Sequence, residues 1–144
     1  MKTRIIFGVI AMMFVLVQTG TAGVNDGIQK YFNDTACKVK ATSDPVEKRE
    51  ILDKSLQTMS KVLDRVQSSG LISQQDRAGI DLLKKTVQEK QDELTGSNGY
   101  ERVADSQLNA FSNYVVQDME QAAQSVSISL VALLLIVIIL ILLL

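Results

Sequence analysis

The last fifteen residues of the chain, Leu130 to Leu144, contain no polar side chain. Counted from Val126, this largely apolar segment has 19 residues. As a helix rising about 1.5 Å per residue, it would nearly cross the ~30 Å hydrocarbon layer of a bilayer. A helix is the only single segment that satisfies its own backbone hydrogen bonds in lipid. Residues 126–144 therefore predict a C-terminal transmembrane anchor, with the lipid bilayer as a partner.

The N-terminus has the three-part layout of a secretory signal peptide. Lys2 and Arg4 precede an apolar stretch, Ile5 to Val17, and small residues follow at Gly20 and Ala22. We predict a signal peptide at 1–22, and the alternative is an uncleaved second anchor. Since no Lys or Arg follows the C-terminal segment, the signal peptide sets the orientation. The expected protein is a single-pass membrane protein, with residues 23–125 periplasmic or extracellular.

A GPI-attachment signal is an alternative reading of the apolar C-terminus. Such a signal needs small residues at the attachment site, followed by a polar spacer of about 8–12 residues. Residues 116–120, at the expected distance, read Val-Gln-Asp-Met-Glu and are not small. A retained transmembrane helix is therefore the preferred interpretation.

Composition excludes several functional classes. Without residues 1–22 the chain has 13 basic and 16 acidic residues, a formal net charge of −3 with no basic cluster, which argues against nucleic-acid binding. The chain has no histidine, so it has no imidazole base and no Ser-His-Asp triad. A single cysteine cannot build a zinc site. We expect no catalytic residues, no metal, no cofactor and no small-molecule substrate, and predict that the protein is not an enzyme.

The extramembrane part is helical nearly throughout. Asp44 and Pro45 predict the start of one long helix, and Gly70 predicts its end. Ser73 predicts the start of a second, which a loop at 95–99 ends. A third begins at Tyr100. Apolar residues recur three or four positions apart in each, and five are expected in the core: Leu56, Leu63, Leu83, Leu108 and Phe111. We call each such row of apolar residues an apolar seam, and Lys90 interrupts the seam of the second helix.

We predict an all-α fold, an up-down bundle of three long helices with a shorter N-terminal helix over residues 25–40. Because no Gly or Pro occurs between Tyr100 and Leu144, the last helix is expected to continue into the transmembrane helix. The expected domains are residues 23–125 for the bundle and 126–144 for the anchor. The alternative is a helical hairpin that completes its core by self-association as a coiled coil.

Two residues of the N-terminal helix are candidate modification sites. Cys37 is expected to point away from the face that Ile28, Phe32 and Val39 would bury, which makes it a candidate for an intermolecular disulfide. The alternative is a thiol that packs against another helix or has no role. Asn33 begins an Asn-Asp-Thr triplet, a candidate glycosylation site if the host is eukaryotic. Such triplets also occur by chance.

These features favour a non-enzymatic, membrane-anchored, extracytoplasmic helical protein that acts in protein–protein interaction or in scaffolding of the envelope or cell surface. Its partner would be an unidentified protein or a second copy of itself. One alternative is a small single-span accessory subunit of a larger membrane complex. Another is a GPI-anchored eukaryotic surface protein.

Overall fold

The computed structural model describes residues 24–143, with side chains from residue 27 onward. Its secondary structure is helical, and no strand occurs over this range. The helices are α1 (Val24–Ala41), α2 (Pro45–Ser68), α3 (Gln74–Thr95), α4 (Leu108–Ser125) and α5 (Leu130–Leu143). The all-α prediction is confirmed. The predicted signal peptide at 1–22 lies outside the described residues.

Local capping explains where α2 and α3 begin. The Asp44 carboxylate accepts a hydrogen bond of 3.0 Å from the Val46 N–H, and Pro45 occupies the first helical position. The Ser73 hydroxyl accepts a bond of 3.1 Å from the Asp76 N–H. Both side chains satisfy backbone donors that a helix N-terminus leaves without an intrahelical partner. Both predicted starts are confirmed.

The helices pack as a bundle around one apolar core. α2 contacts every other helix, and α1 packs extensively against α4. The five residues expected in the core, Leu56, Leu63, Leu83, Leu108 and Phe111, are all buried. The apolar cluster also includes Ile136 and Leu140 of α5. The C-terminal apolar segment therefore shares the core of the bundle.

The third long helix is shorter than the sequence predicts. Residues 100–104 are not helical, a 3₁₀ turn follows at Asp105–Gln107, and α4 starts only at Leu108. The reason is a set of tertiary bonds to Arg49 on α2. Its guanidinium donates to the carbonyls of Leu94 and Val103 and to the Asp105 carboxylate, at 3.0, 2.7 and 2.7 Å. These bonds hold the segment before α4 in an extended path.

The prediction that the last bundle helix continues into the C-terminal segment is wrong. α4 ends at Ser125, Val126 has extended backbone angles (φ −113°, ψ 149°), and α5 lies against α2 and α1. The break has no Gly or Pro, and tertiary contacts hold it, among them a contact between Ser129 and α3 that is described below. None of the helices over residues 24–143 has both the length and the apolar character that a bilayer crossing requires.

Candidate functional site

The most unusual surface of the molecule is on α5, because this helix is apolar on every side. Its 14 residues contain no polar side chain, so any part that the bundle leaves uncovered presents hydrocarbon to water. The inner face is buried and consists of Ala132, Leu133, Ile136 and Leu140. The outer face is exposed and consists of Leu130, Val131, Leu134, Ile138 and Leu142. Contiguous exposed apolar surface of this kind marks an interaction site.

The inner face rests in a shallow groove, the α5 groove, formed by Gly27 and Ile28 of α1 and Met59 of α2. A Cβ at Gly27 would lie 3.8 Å from the Val137 Cγ2 atom, an ordinary van der Waals distance, so α1 and α5 are in direct contact here. All the side chains that line the groove are apolar, so they contribute no directional bond to this contact. The hydrophobic effect alone holds the middle of α5 in place.

A polar contact fixes the N-terminal end of α5. One Asp76 carboxylate oxygen accepts the Ser129 backbone N–H at 2.9 Å, and the other accepts the Ser129 hydroxyl at 2.6 Å. The Ser129 Oγ atom in turn accepts the Ala132 N–H at 3.2 Å, so Ser129 caps α5. We call the Asp76–Ser129 pair the clasp. It joins the first turn of α3 to the start of α5.

The electrostatics of the clasp favour an ionised carboxylate. Asp76 is buried, and its negative charge lies at the N-terminus of α5, where the helix dipole is positive. Hydrogen bonds from Ser129 and Ser73 hold the pKa of Asp76 below its usual range, although burial acts in the opposite direction. A hydrogen bond to a charged group is stronger than one between neutral groups. The clasp is therefore a strong local contact at the otherwise apolar attachment of α5.

Gly79, one turn further along α3, lets the segment that contains Val126 and Ile128 cross close to this helix. A Cβ at this position would lie 3.3 Å from both the Val126 Cβ and the Ile128 Cγ1 atoms. This separation is tighter than ordinary van der Waals contact, so a larger side chain would push the crossing segment outward. Asp76 and Gly79 are three residues apart and share one face of α3. Together they position residues 126–129.

A second polar cluster lies between α3 and α4. The buried Lys90 ammonium pairs with Asp118 and Glu93, and it lies 4.8 Å from the ring centroid of Tyr114. Burial alone would lower the pKa of Lys90, but hydrogen bonds to Asp118 and Glu93 outweigh it and raise the pKa. A lysine held in its protonated form is a poor base and a poor nucleophile. Lys90 therefore links two helices, which explains why it interrupts an apolar seam.

The two candidate modification sites lie on α1, apart from the clasp. Asn33 and Cys37 are both exposed on α1. Thr35, the third residue of the glycosylation triplet, is buried, with its hydroxyl 3.0 Å from the Ser55 Oγ atom. The predicted outward orientation of Cys37 is confirmed, and the intermolecular disulfide stays a prediction.

The exposure of Cys37 leads to a testable expectation. We expect a maleimide reagent to modify Cys37 fully in the folded protein without denaturant, and oxidation to produce a dimer on a non-reducing gel. Cys37→Ser should abolish both. A thiol that reacts only after unfolding would contradict the placement of Cys37 on the surface.

Sequence reasoning missed the clasp. Asp76 reads as an ordinary acidic residue in the first turn of a helix, and its partner Ser129 lies 53 residues away.

Comparison of the chain with models of protein families, with curated proteins and with solved structures gives no match. Over residues 24–143, no three potential metal ligands among His, Cys, Asp and Glu come together. The outer face of α5 and its attachment are therefore the candidate functional site.

Proposed function

We propose that the protein is a non-enzymatic, membrane-anchored helical protein whose extracytoplasmic bundle acts in protein–protein interaction or surface scaffolding. The observation that carries the proposal is the exposed outer face of α5. Each large apolar side chain contributes up to about 1.5–3 kcal/mol when it is moved fully out of water. Five such side chains lie on this face. Their combined burial is a sufficient driving force for membrane attachment.

The chemistry of the outer face favours lipid over a protein as its occupant. Protein interfaces are enriched in aromatic residues and arginine, and a polar rim surrounds their buried centre. α5 has only Leu, Ile, Val and Ala side chains, with no aromatic residue and no polar atom beyond its backbone. A hydrocarbon layer requires none of these polar groups, because the helix satisfies its own backbone. The predicted signal peptide at 1–22 would also direct the chain to a membrane.

The bundle itself offers a surface for a protein partner. Tyr114 is 56% exposed on α4. Lys90 lies over its ring and restricts the aromatic side chain, which lowers the entropy that a partner would have to remove on binding. Exposed tyrosines are frequent anchors of protein interfaces. In this proposal α5 attaches the protein to the membrane, and the α3–α4 side of the bundle contacts the partner.

A vesicle flotation experiment with the full chain tests the membrane attachment. Leu134 and Ile138 are 48% and 51% exposed, so the double variant Leu134→Glu, Ile138→Glu places charges on the outer face without entering the core. We expect its phosphatidylcholine-bound fraction to fall at least about tenfold, because a charged side chain is strongly disfavoured in hydrocarbon.

The matched control is the double variant Val46→Glu, Leu71→Glu. These two side chains are 69% and 66% exposed and lie outside α5, so the same change in charge should leave flotation unaltered. Circular dichroism would verify that both variants remain folded. Equal flotation of the two double variants would reject the outer face of α5 as the membrane contact.

A further inference from the structure

The backbone N–H of Ser129 has two possible acceptors, and it can serve only one at a time. In the structure this N–H donates to the Asp76 carboxylate at 2.9 Å. In an uninterrupted helix the same N–H would donate to the carbonyl of Ser125, four residues earlier. The clasp therefore competes directly with the hydrogen bond that would join α4 to α5.

The local sequence of the connecting segment, residues 126–129, does not require the break. It reads Val-Ser-Ile-Ser and contains no Gly or Pro. The β-branched residues Val126 and Ile128 lower helix propensity only slightly. The break is held instead by tertiary contacts, which are the clasp, the close approach at Gly79 and the α5 groove. If these contacts are lost, the segment is free to become helical.

The two arrangements differ in the length of apolar helix that they provide. α5 has 14 residues in the structure, which as a helix spans about 21 Å. Inclusion of the connecting segment extends this helix to residues 126–143, about 27 Å long. The hydrocarbon layer of a bilayer is ~30 Å thick. Only the extended form matches a membrane.

We propose that α5 is a releasable membrane anchor, and that residues 126–129 switch between a broken form held on the bundle and a continuous helix in the bilayer. This inference rests on the proposed membrane attachment. The clasp holds the broken form by occupying the Ser129 N–H. Opening the clasp frees this donor for Ser125, moves α5 out of its groove and places the whole apolar segment in lipid.

The first experiment removes the clasp in the full chain. Asp76→Ala removes both hydrogen bonds from Ser129 to the carboxylate and should raise the ratio of vesicle-bound to free protein at least about tenfold with phosphatidylcholine vesicles. The matched control is Asp81→Ala, which removes an exposed carboxylate from the same helix and should leave the ratio unchanged. If Asp76→Ala binds vesicles no better than Asp81→Ala, the clasp does not hold α5 and the proposal is wrong.

The second experiment prevents release without altering the clasp. Gly27→Cys with Val137→Cys, in a Cys37→Ser background, is designed to form a disulfide across the α5 groove, where a Cβ at residue 27 lies 3.8 Å from the Val137 Cγ2 atom; a thiol assay would verify its formation. We expect the oxidised protein to lose vesicle binding and the reduced protein to keep it. The Cys37→Ser protein alone should respond to neither treatment.

The outcomes separate this inference from the proposed function. If the oxidised and reduced forms float equally well, α5 binds lipid while it remains on the bundle. The membrane attachment would then stand, and its release would be rejected. If neither the reduced protein nor the unmodified chain floats, the membrane attachment itself is wrong, and the release proposal fails with it.

Discussion

Leu63→Ala should lower the free energy of unfolding by about 2–5 kcal/mol, the usual effect of removing a buried leucine side chain. Leu63 is fully buried on α2, and this helix contacts all four others. The cavity would therefore lie within the apolar core that the helices share. Urea unfolding followed by circular dichroism would measure the loss. Because the stability of a domain is usually about 5–15 kcal/mol, this loss would be a large fraction of the total.

Lys54→Ala is the control on the same helix. Lys54 is exposed, so its replacement should change the free energy of unfolding by no more than about 0.5 kcal/mol. The midpoint of unfolding should also be independent of protein concentration for both variants. A midpoint that rises strongly with concentration would instead show that subunit association stabilises the fold, as in the self-associating hairpin alternative.

Gly96→Ala should destabilise the fold by about 2–5 kcal/mol, for two reasons that add. Gly96 ends α3 with φ +76°, a left-handed conformation that alanine adopts at a cost of about 1–2 kcal/mol. In addition, a Cβ at this position would lie 2.9 Å from both the backbone nitrogen and the Cβ atom of Arg102. The backbone must move to relieve this overlap. Thermal unfolding followed by circular dichroism would measure the loss.

Gly70→Ala separates the two contributions. Gly70 has a similar φ, +71°, but a Cβ there would have no neighbour within 4 Å. Only the conformational cost of about 1–2 kcal/mol should remain. Equal losses at Gly70 and Gly96 would mean that the contact with Arg102 is relieved without cost, contrary to the expectation.

The sequence predicts the helices of the bundle well where their determinants are local. Asp44 and Ser73 cap helices from within the first turn, so their roles can be inferred without a fold. Gly70 lies directly after the cap residue Ser69 at the end of α2, in the left-handed conformation expected for glycine after a helix. The apolar spacing also identifies the core face of α2 through Leu56 and Leu63.

The features that the sequence does not predict depend on contacts between distant residues. Arg49 keeps residues 100–104 out of a helix, and Asp76 separates α4 from α5. Neither effect can be inferred from neighbouring residues. In particular, the segment where the chain turns toward α5 contains no Gly or Pro. Lys90 is an intermediate case. A charged residue within an apolar seam is itself evidence for a buried partner, but the sequence does not reveal that Asp118 is that partner.

The bonds of Arg49 also constrain the order in which the chain folds. Its three acceptors lie 45, 54 and 56 residues further along the chain. Closing loops of this length is entropically costly until other contacts have shortened them. The packing of α2 against α3 would shorten them, so we expect the segment between α3 and α4 to become ordered late. Changes to that segment would then act mainly on the rate of unfolding, whereas changes between α2 and α3 would act on the rate of folding.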